Sequence, residues 1–135
     1  MTAESQPRPS VLLLEDDAPL VEMILASLGD EFEIEHAANA ADARLLLAAR
    51  PFDILLCDHM VPGKEQGLEF LVHALEHHPK PRRILMTGYI NPDMISRSIS
   101  VAGLSACIMK PFDMRTLRQQ LHECAGPGRP GGAQS

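Results

Sequence analysis

The sequence predicts an α/β protein built on a doubly wound, five-stranded parallel sheet. Three observations carry that prediction. Five short apolar or alternating runs alternate with five segments of helical period. Four of those runs are nearly continuous hydrophobes, as strands covered on both faces must be. Strand then helix, repeated five times, places each crossover on the sheet with right-handed connections.

The strand runs are "VLLLE" (11–15), "FEIEHA" (32–37), "DILLC" (53–57), "RILMT" (83–87) and "SACIM" (105–109). The second alternates Phe32, Glu33, Ile34, Glu35, which fits an edge strand with one wetter face. In the first helical segment Leu20, Ile24 and Leu28 recur at i, i+4, i+8, with Pro19 near the start and Gly29 as the stop. "NAADARLLLAAR" (39–50) follows, with Asn39 as N-cap and strong helix formers behind it. The third helix spans roughly 67–78 and sets Leu68, Leu71, Val72 and Leu75 on one side. The fourth begins with Asn91 as cap and Pro92 at the first helical position, and Ile95, Ile99 and Ala102 line its face before Gly103. The last places Met114, Leu117, Leu121 and Cys124 at helical spacing after Asp113. For five such strands the most symmetric solution is the flavodoxin-like order 2-1-3-4-5, a (βα)5 three-layer sandwich.

At 135 residues the chain reads as one domain, 10–124, with a polar arm over 1–9 and a flexible Gly/Pro-rich tail or linker over 125–135. The hydrophobic share is 45% against 4% aromatic, so aliphatic side chains and methionine must build the core. A formal net charge of −6 argues against nucleic-acid binding. No apolar run approaches the ~18 residues of a membrane span, and "MTAESQPRPS" is unlike a signal peptide. Cys57, Cys107 and Cys124 form no CxxC, and Cys57 and Cys107 fall in apolar runs as reduced, buried thiols. A cytoplasmic location is expected.

Ligands of such sheets bind outside the carboxyl ends of the strands. There strand 1 delivers Glu15-Asp16-Asp17, strand 3 Asp58, strand 4 Thr87-Gly88 and strand 5 Lys110-Pro111. Acids gathered there repel one another and raise each other's pKa values. A divalent cation relieves that repulsion, and hard oxygen ligands with few protein contacts fit Mg²⁺. With the Lys110 cation and the Thr87 hydroxyl added, the rim becomes a receptacle for a small dianion beside a metal, phosphoryl above all.

The motifs "LLLEDDAPL", "ILLCDHMVPG", "ILMTGY" and "IMKPFD", in this order, resemble the receiver domain of bacterial two-component response regulators over roughly residues 10–124. Each motif is weak alone; four in register on four strand ends are specific. The resemblance implies that Asp58 is the phosphoacceptor. It implies that Asp16 binds Mg²⁺ directly, Glu15 through water, and the backbone carbonyl of Met60 as a further ligand. Thr87 and Lys110 then bind phosphoryl oxygens, Asp17 serves the first helix, and the Lys110–Pro111 bond is cis. The implied function is phosphoacceptance from a sensor histidine kinase or phosphotransfer protein. Output then passes to a downstream protein through helix 4, strand 5 and helix 5, with phosphorylation-dependent dimerisation as an option. No enzymatic turnover, direct nucleic-acid contact or membrane insertion is implied.

Three departures accompany the resemblance. The aromatic residue usual three positions before the lysine is Cys107, which leaves Tyr89 as a surrogate switch. The loop from Asp58 to Gly67 is one residue longer than the common pattern, although Pro62 keeps its offset. Positions two after the aspartate and two after the threonine are Met60 and Tyr89, bulky and without a strong base, which implies slow self-dephosphorylation.

Two rivals remain at this stage. A phosphatase of the haloacid dehalogenase type wants a second acid where Met60 stands. A phosphorylation-independent interaction module would keep these residues for packing alone. The other polar residues read blandly. His59 should point away from Asp58, and His73 and His77 should be solvated rather than metal-binding. Cys57 should be inert. Arg82-Arg83 and Arg115/Arg118 should be solvated, with Arg97, Arg115 and Arg118 available to a partner.

Overall fold

The computed structural model describes residues 8–88 and 91–125. The expectations for the arm before residue 8, for Tyr89 and for the tail from 126 lie outside the described residues. The strands are β1 (Ser10–Leu14), β2 (Glu33–Ala37), β3 (Ile54–Asp58), β4 (Arg82–Thr87) and β5 (Ala106–Met109). The helices are α1 (Ala18–Leu28), α2 (Ala40–Ala49), α3 (Gly67–His77), α4 (Pro92–Ala102) and α5 (Met114–Ala125). All pairings are parallel, in the order β2-β1-β3-β4-β5.

The continuous apolar runs have their reason in two separate core layers, because successive strand side chains alternate between faces. Leu12, Leu14, Leu55, Cys57 and Leu85 pack with Ala43, Leu47, Phe70, Leu71, Ala74 and Ala102 of α2, α3 and α4. Val11, Leu13, Ile54, Leu56, Ile84, Met86 and Ile108 pack with Val21, Ile24, Leu28, Leu117 and Leu121 of α1 and α5. Burying each large aliphatic side chain contributes about 1.5–3 kcal/mol. The alternating strand is indeed an edge, and its Glu33 and Glu35 are bridged by Arg50 of the α2 terminus.

Helix ends follow the sequence signals. Asp17, Asn39 and Asn91 accept backbone N–H groups at the starts of α1, α2 and α4. Gly103 closes α4 with φ 58°, the left-handed conformation that favours glycine.

Two helix faces differ from expectation. In α3 the deepest residues are Gly67, Phe70, Leu71 and Ala74, while Leu68 and Val72 are only partly buried. Phe70 supplies the bulk, and Gly67 and Ala74 let the helix approach. In α4 the buried pair is Ser98 and Ala102, and Ile99 is left 44% exposed. Ser98 can be buried because its hydroxyl donates to the Met94 carbonyl at 2.8 Å, so no polar atom is stranded.

Arg83 and Arg118 are half-buried and engaged by the protein rather than fully solvated. Arg83 donates to the carbonyls of Ala102, Gly103, Pro79 and Pro81, clamping the end of α4 to the turn before β4. Arg118 bonds Glu31 and the Ser27 carbonyl, tying α5 to the end of α1. The Arg118 side chain nevertheless stays 39% exposed.

Candidate functional site

The ladder hydrogen bonds continue past the strand ends and fix where each polar side chain points. Glu15 N donates to Ala37 O at 3.1 Å, His59 N to Met86 O at 2.8 Å, and Lys110 N to Thr87 O at 2.8 Å. Alternation therefore extends to the rim. Glu15, Asp58 and Lys110 share the parity of the α1/α5 layer, together with Leu13, Leu56 and Ile108. Thr87 and His59 share the parity of the α2/α3/α4 layer, together with Leu85 and Cys57.

On the first face Lys110 Nζ lies 2.9 Å from Glu15 Oε1 and 3.0 Å from Asp58 Oδ1. Asp17 N donates to the other Glu15 oxygen at 3.1 Å, and the Asp17 side chain in turn caps α1 through Leu20 N. Glu15 is 1% exposed and Asp58 8%. Burial, reinforced by the Asp58 charge, pushes the Glu15 carboxyl above its ordinary range despite the opposing Lys110 bond. For Lys110 burial favours the neutral amine, but its bonds to the two carboxylates outweigh burial and raise its pKa. The ammonium is therefore charged at neutral pH.

Asp16 is exposed beside this pair. Ligand oxygens of Glu15, Asp16 and Asp58 all lie within 4.8 Å of one another, the single such group of three among the described residues. Around an octahedral ion with bonds of ~2.1 Å, oxygens sit about 3–4 Å apart. The carboxylates thus need only small rotations to share one hard cation, and the donor set fits Mg²⁺. Met60 follows just after β3 and is 69% exposed.

The loop after Asp58 is internally tied. Gln66 Oε1 accepts from Val61 N and its amide donates to Gly63 O. Arg44 of α2 holds Glu65. Gly67 N donates to His59 O at 3.2 Å, which folds α3 tightly against the end of β3.

His59 has a partner that the sequence reading did not name. It does point away from Asp58, as expected, yet that direction brings its Nδ1 to 3.1 Å from Thr87 Oγ1. β4 runs beside β3 to the rim, so the residue after Asp58 faces the residue after Met86. His73 and His77 stack at 4.4 Å, and His77 Nδ1 lies 3.1 Å from the His73 carbonyl oxygen. Cys57 is buried, and burial, then the Asp58 charge, raises its thiol well above the ordinary value.

The family model of the response regulator receiver domain matches residues 11–122. The hydrogenase transcriptional regulatory protein HoxA of Cupriavidus necator is 32% identical over 80% of the chain, and the response regulator protein PilR of Pseudomonas aeruginosa 29% over 83%. The chain spans only 22% and 25% of the length of those two relatives. The response regulator receiver protein CpdR of Brucella abortus is 29% identical, with 84% of this chain and 93% of that protein covered. Among solved structures, a CheY-like receiver domain protein from Methanospirillum hungatei superposes with TM-score 0.83 at 27% identity, covering 93% of this chain and 99% of that one.

Proposed function

The chain belongs to the response regulator receiver domain family, and from that premise we propose that Asp58 accepts a phosphoryl group from the phosphohistidine of a sensor histidine kinase or phosphotransfer protein. The observation that carries this reading is the Lys110 ammonium held between Glu15 and Asp58, with Asp16 alongside.

An oxygen of Asp58 attacks phosphorus in line, the P–N bond of the donor breaks, and an acyl phosphate forms. Little of this asks for covalent help, so positioning and charge neutralisation dominate. Glu15, Asp16, Asp58 and the Met60 carbonyl would hold Mg²⁺, which supplies positive charge to the phosphoryl oxygens. Lys110 leaves Asp58 for one phosphoryl oxygen while keeping Glu15, and Thr87 donates to another. Beside Lys110, a cleft lined by Pro19, Leu20, Met23, Phe112 and Met114 offers an apolar seat for the donor. The partly exposed Ile99 of α4 and the β5 and α5 surface beside it form the output face, with dimerisation through it as one outcome. Residues 10–124 form the receiver, and 125–135 serve as tail or linker.

The test is Mg²⁺-dependent uptake of a phosphoryl group from acetyl phosphate, followed by mass spectrometry of the intact chain. Labelling confined to Asp58 and abolished in Asp58→Asn supports the proposal. Equal labelling of that variant, or none of the parent protein at millimolar Mg²⁺, overturns it.

A further inference from the structure

We propose that His59 is a positioning residue that holds the Thr87 hydroxyl on the face opposite Asp58, so that phosphoryl uptake must break the His59–Thr87 hydrogen bond. The proposal rests on the phosphoacceptor reading and adds to it the element that opposes switching.

Thr87 is held by burial and His59 by its backbone. The Thr87 residue is 0% exposed, at the last position of β4. The His59 backbone is fixed from both sides, its N–H on Met86 O and its carbonyl accepting Gly67 N. That leaves the ring a defined reach, and its Nδ1 stands 3.1 Å from Thr87 Oγ1. Gly67 packs so closely on the Asp58 carbonyl that an added Cβ would stand 1.7 Å from its oxygen.

A hydroxyl has one hydrogen to give. In the tautomer that carries its proton on Nε2, Nδ1 takes that hydrogen, which is then not available to a phosphoryl oxygen bound at Asp58 on the other parity of the sheet. Threonine is β-branched and moves between discrete χ1 wells rather than continuously. The two partners therefore compete for one donor in two distinct orientations. A ligand at Asp58 that needs Thr87 must bind well enough to take it from His59, and its apparent affinity is reduced by the fraction of molecules in which Thr87 is held.

On the opposite face Lys110 is occupied in the same way by Glu15 and Asp58. Both phosphoryl-binding side chains thus start on other partners. Only the Lys110 arrangement was legible as a charge pair. The Thr87 arrangement depends on which residue follows the phosphoacceptor, and here that residue is a histidine.

The experiment uses the full chain, with Thr87 χ1 measured by three-bond NMR couplings in the ligand-free protein and with a titration of beryllofluoride at saturating Mg²⁺. In His59→Ala and His59→Phe, Thr87 is expected to average between wells, and beryllofluoride to bind roughly two- to tenfold more tightly, the range of one neutral hydrogen bond. His59→Asn places an amide near the former Nδ1 and should restore both parental values. A merely structural role for His59 predicts weaker binding in all three variants, and that result overturns the proposal. So does a Thr87 χ1 that ignores His59→Ala. If the parent protein binds no beryllofluoride while χ1 still responds to His59→Ala, the phosphoacceptor reading is what has failed, and competition at Asp58 falls with it.

Discussion

Lys110 Nζ sits 2.9 Å from an oxygen of Glu15 that the rest of the protein hides from water. Charge on Glu15 is tolerable there because Lys110 is beside it, and charge on Lys110 because Glu15 and Asp58 both face it. Removing one member of a buried set leaves the others uncompensated, which costs about 3–5 kcal/mol where burial is complete. Lys110 is partly exposed, so Lys110→Met should cost about 2–3 kcal/mol, read as a lowered urea midpoint at unchanged slope. Mg²⁺ should recover part of that loss in the variant. An unaltered midpoint would mean that the acids are not held ionised together.

The same burial gives Glu15 a pH signature. Its folded-state pKa is raised, so between the ordinary value of 4.5 and the raised value the folded protein holds a proton that the unfolded chain has released. Stability linked to Glu15 is thus full below pH ~4.5 and is lost as pH rises through the folded pKa. Relative to Glu15→Gln, the parent protein should lose stability across that window and run parallel above it. Urea denaturation of both proteins from pH 4 to 7.5 checks the sign. Mg²⁺ binding should move the other way, weakening on acidification before an ordinary glutamate would titrate.

Gly67 is dictated by contact rather than by a special backbone angle. A Cβ there would stand 1.7 Å from the Asp58 carbonyl oxygen, a backbone atom that cannot rotate aside. Gly67→Ala should therefore push α3 off the end of β3, at a cost of about 3 kcal/mol or more. Because the displaced atom belongs to Asp58, phosphoryl uptake should fall at temperatures where the variant is still folded. Circular dichroism melting paired with acetyl phosphate labelling separates the two effects.

The sheet order and the gathering of Glu15, Asp16, Asp58 and Lys110 were legible because strand periodicity and strand-end position need only local sequence. Helix faces were less so. Hydrophobicity nominated Ile99 for the α4 interior, yet Ser98 took that place by bonding its own helix. Arg83 looked like a solvated charge because the four carbonyls that hold it come from two separate turns. The partner of His59 was hidden for a related reason. The ring's direction was predictable from alternation, but what stands there depends on how β4 is registered against β3.

Loss of the phosphoryl group should be slow in this protein. Hydrolysis of an acyl phosphate needs a water in line with the bond, and a nearby base or hydrogen-bond acceptor that orients it raises the rate by about 10²–10⁴ when ideally placed. The residue two after Asp58 is Met60, whose exposed thioether can neither orient a water nor take its proton. A phosphoryl lifetime of minutes or longer is expected for the isolated chain, against seconds if another group serves as base. Met60→Glu adds a carboxylate at the mouth of the site and should shorten the lifetime about tenfold or more, though less than the ideal range because the position is open to solvent. Decay of the labelled species after acetyl phosphate is removed measures both proteins directly. A parental half-life of seconds, unchanged in Met60→Glu, would show that water access is governed from elsewhere on the rim.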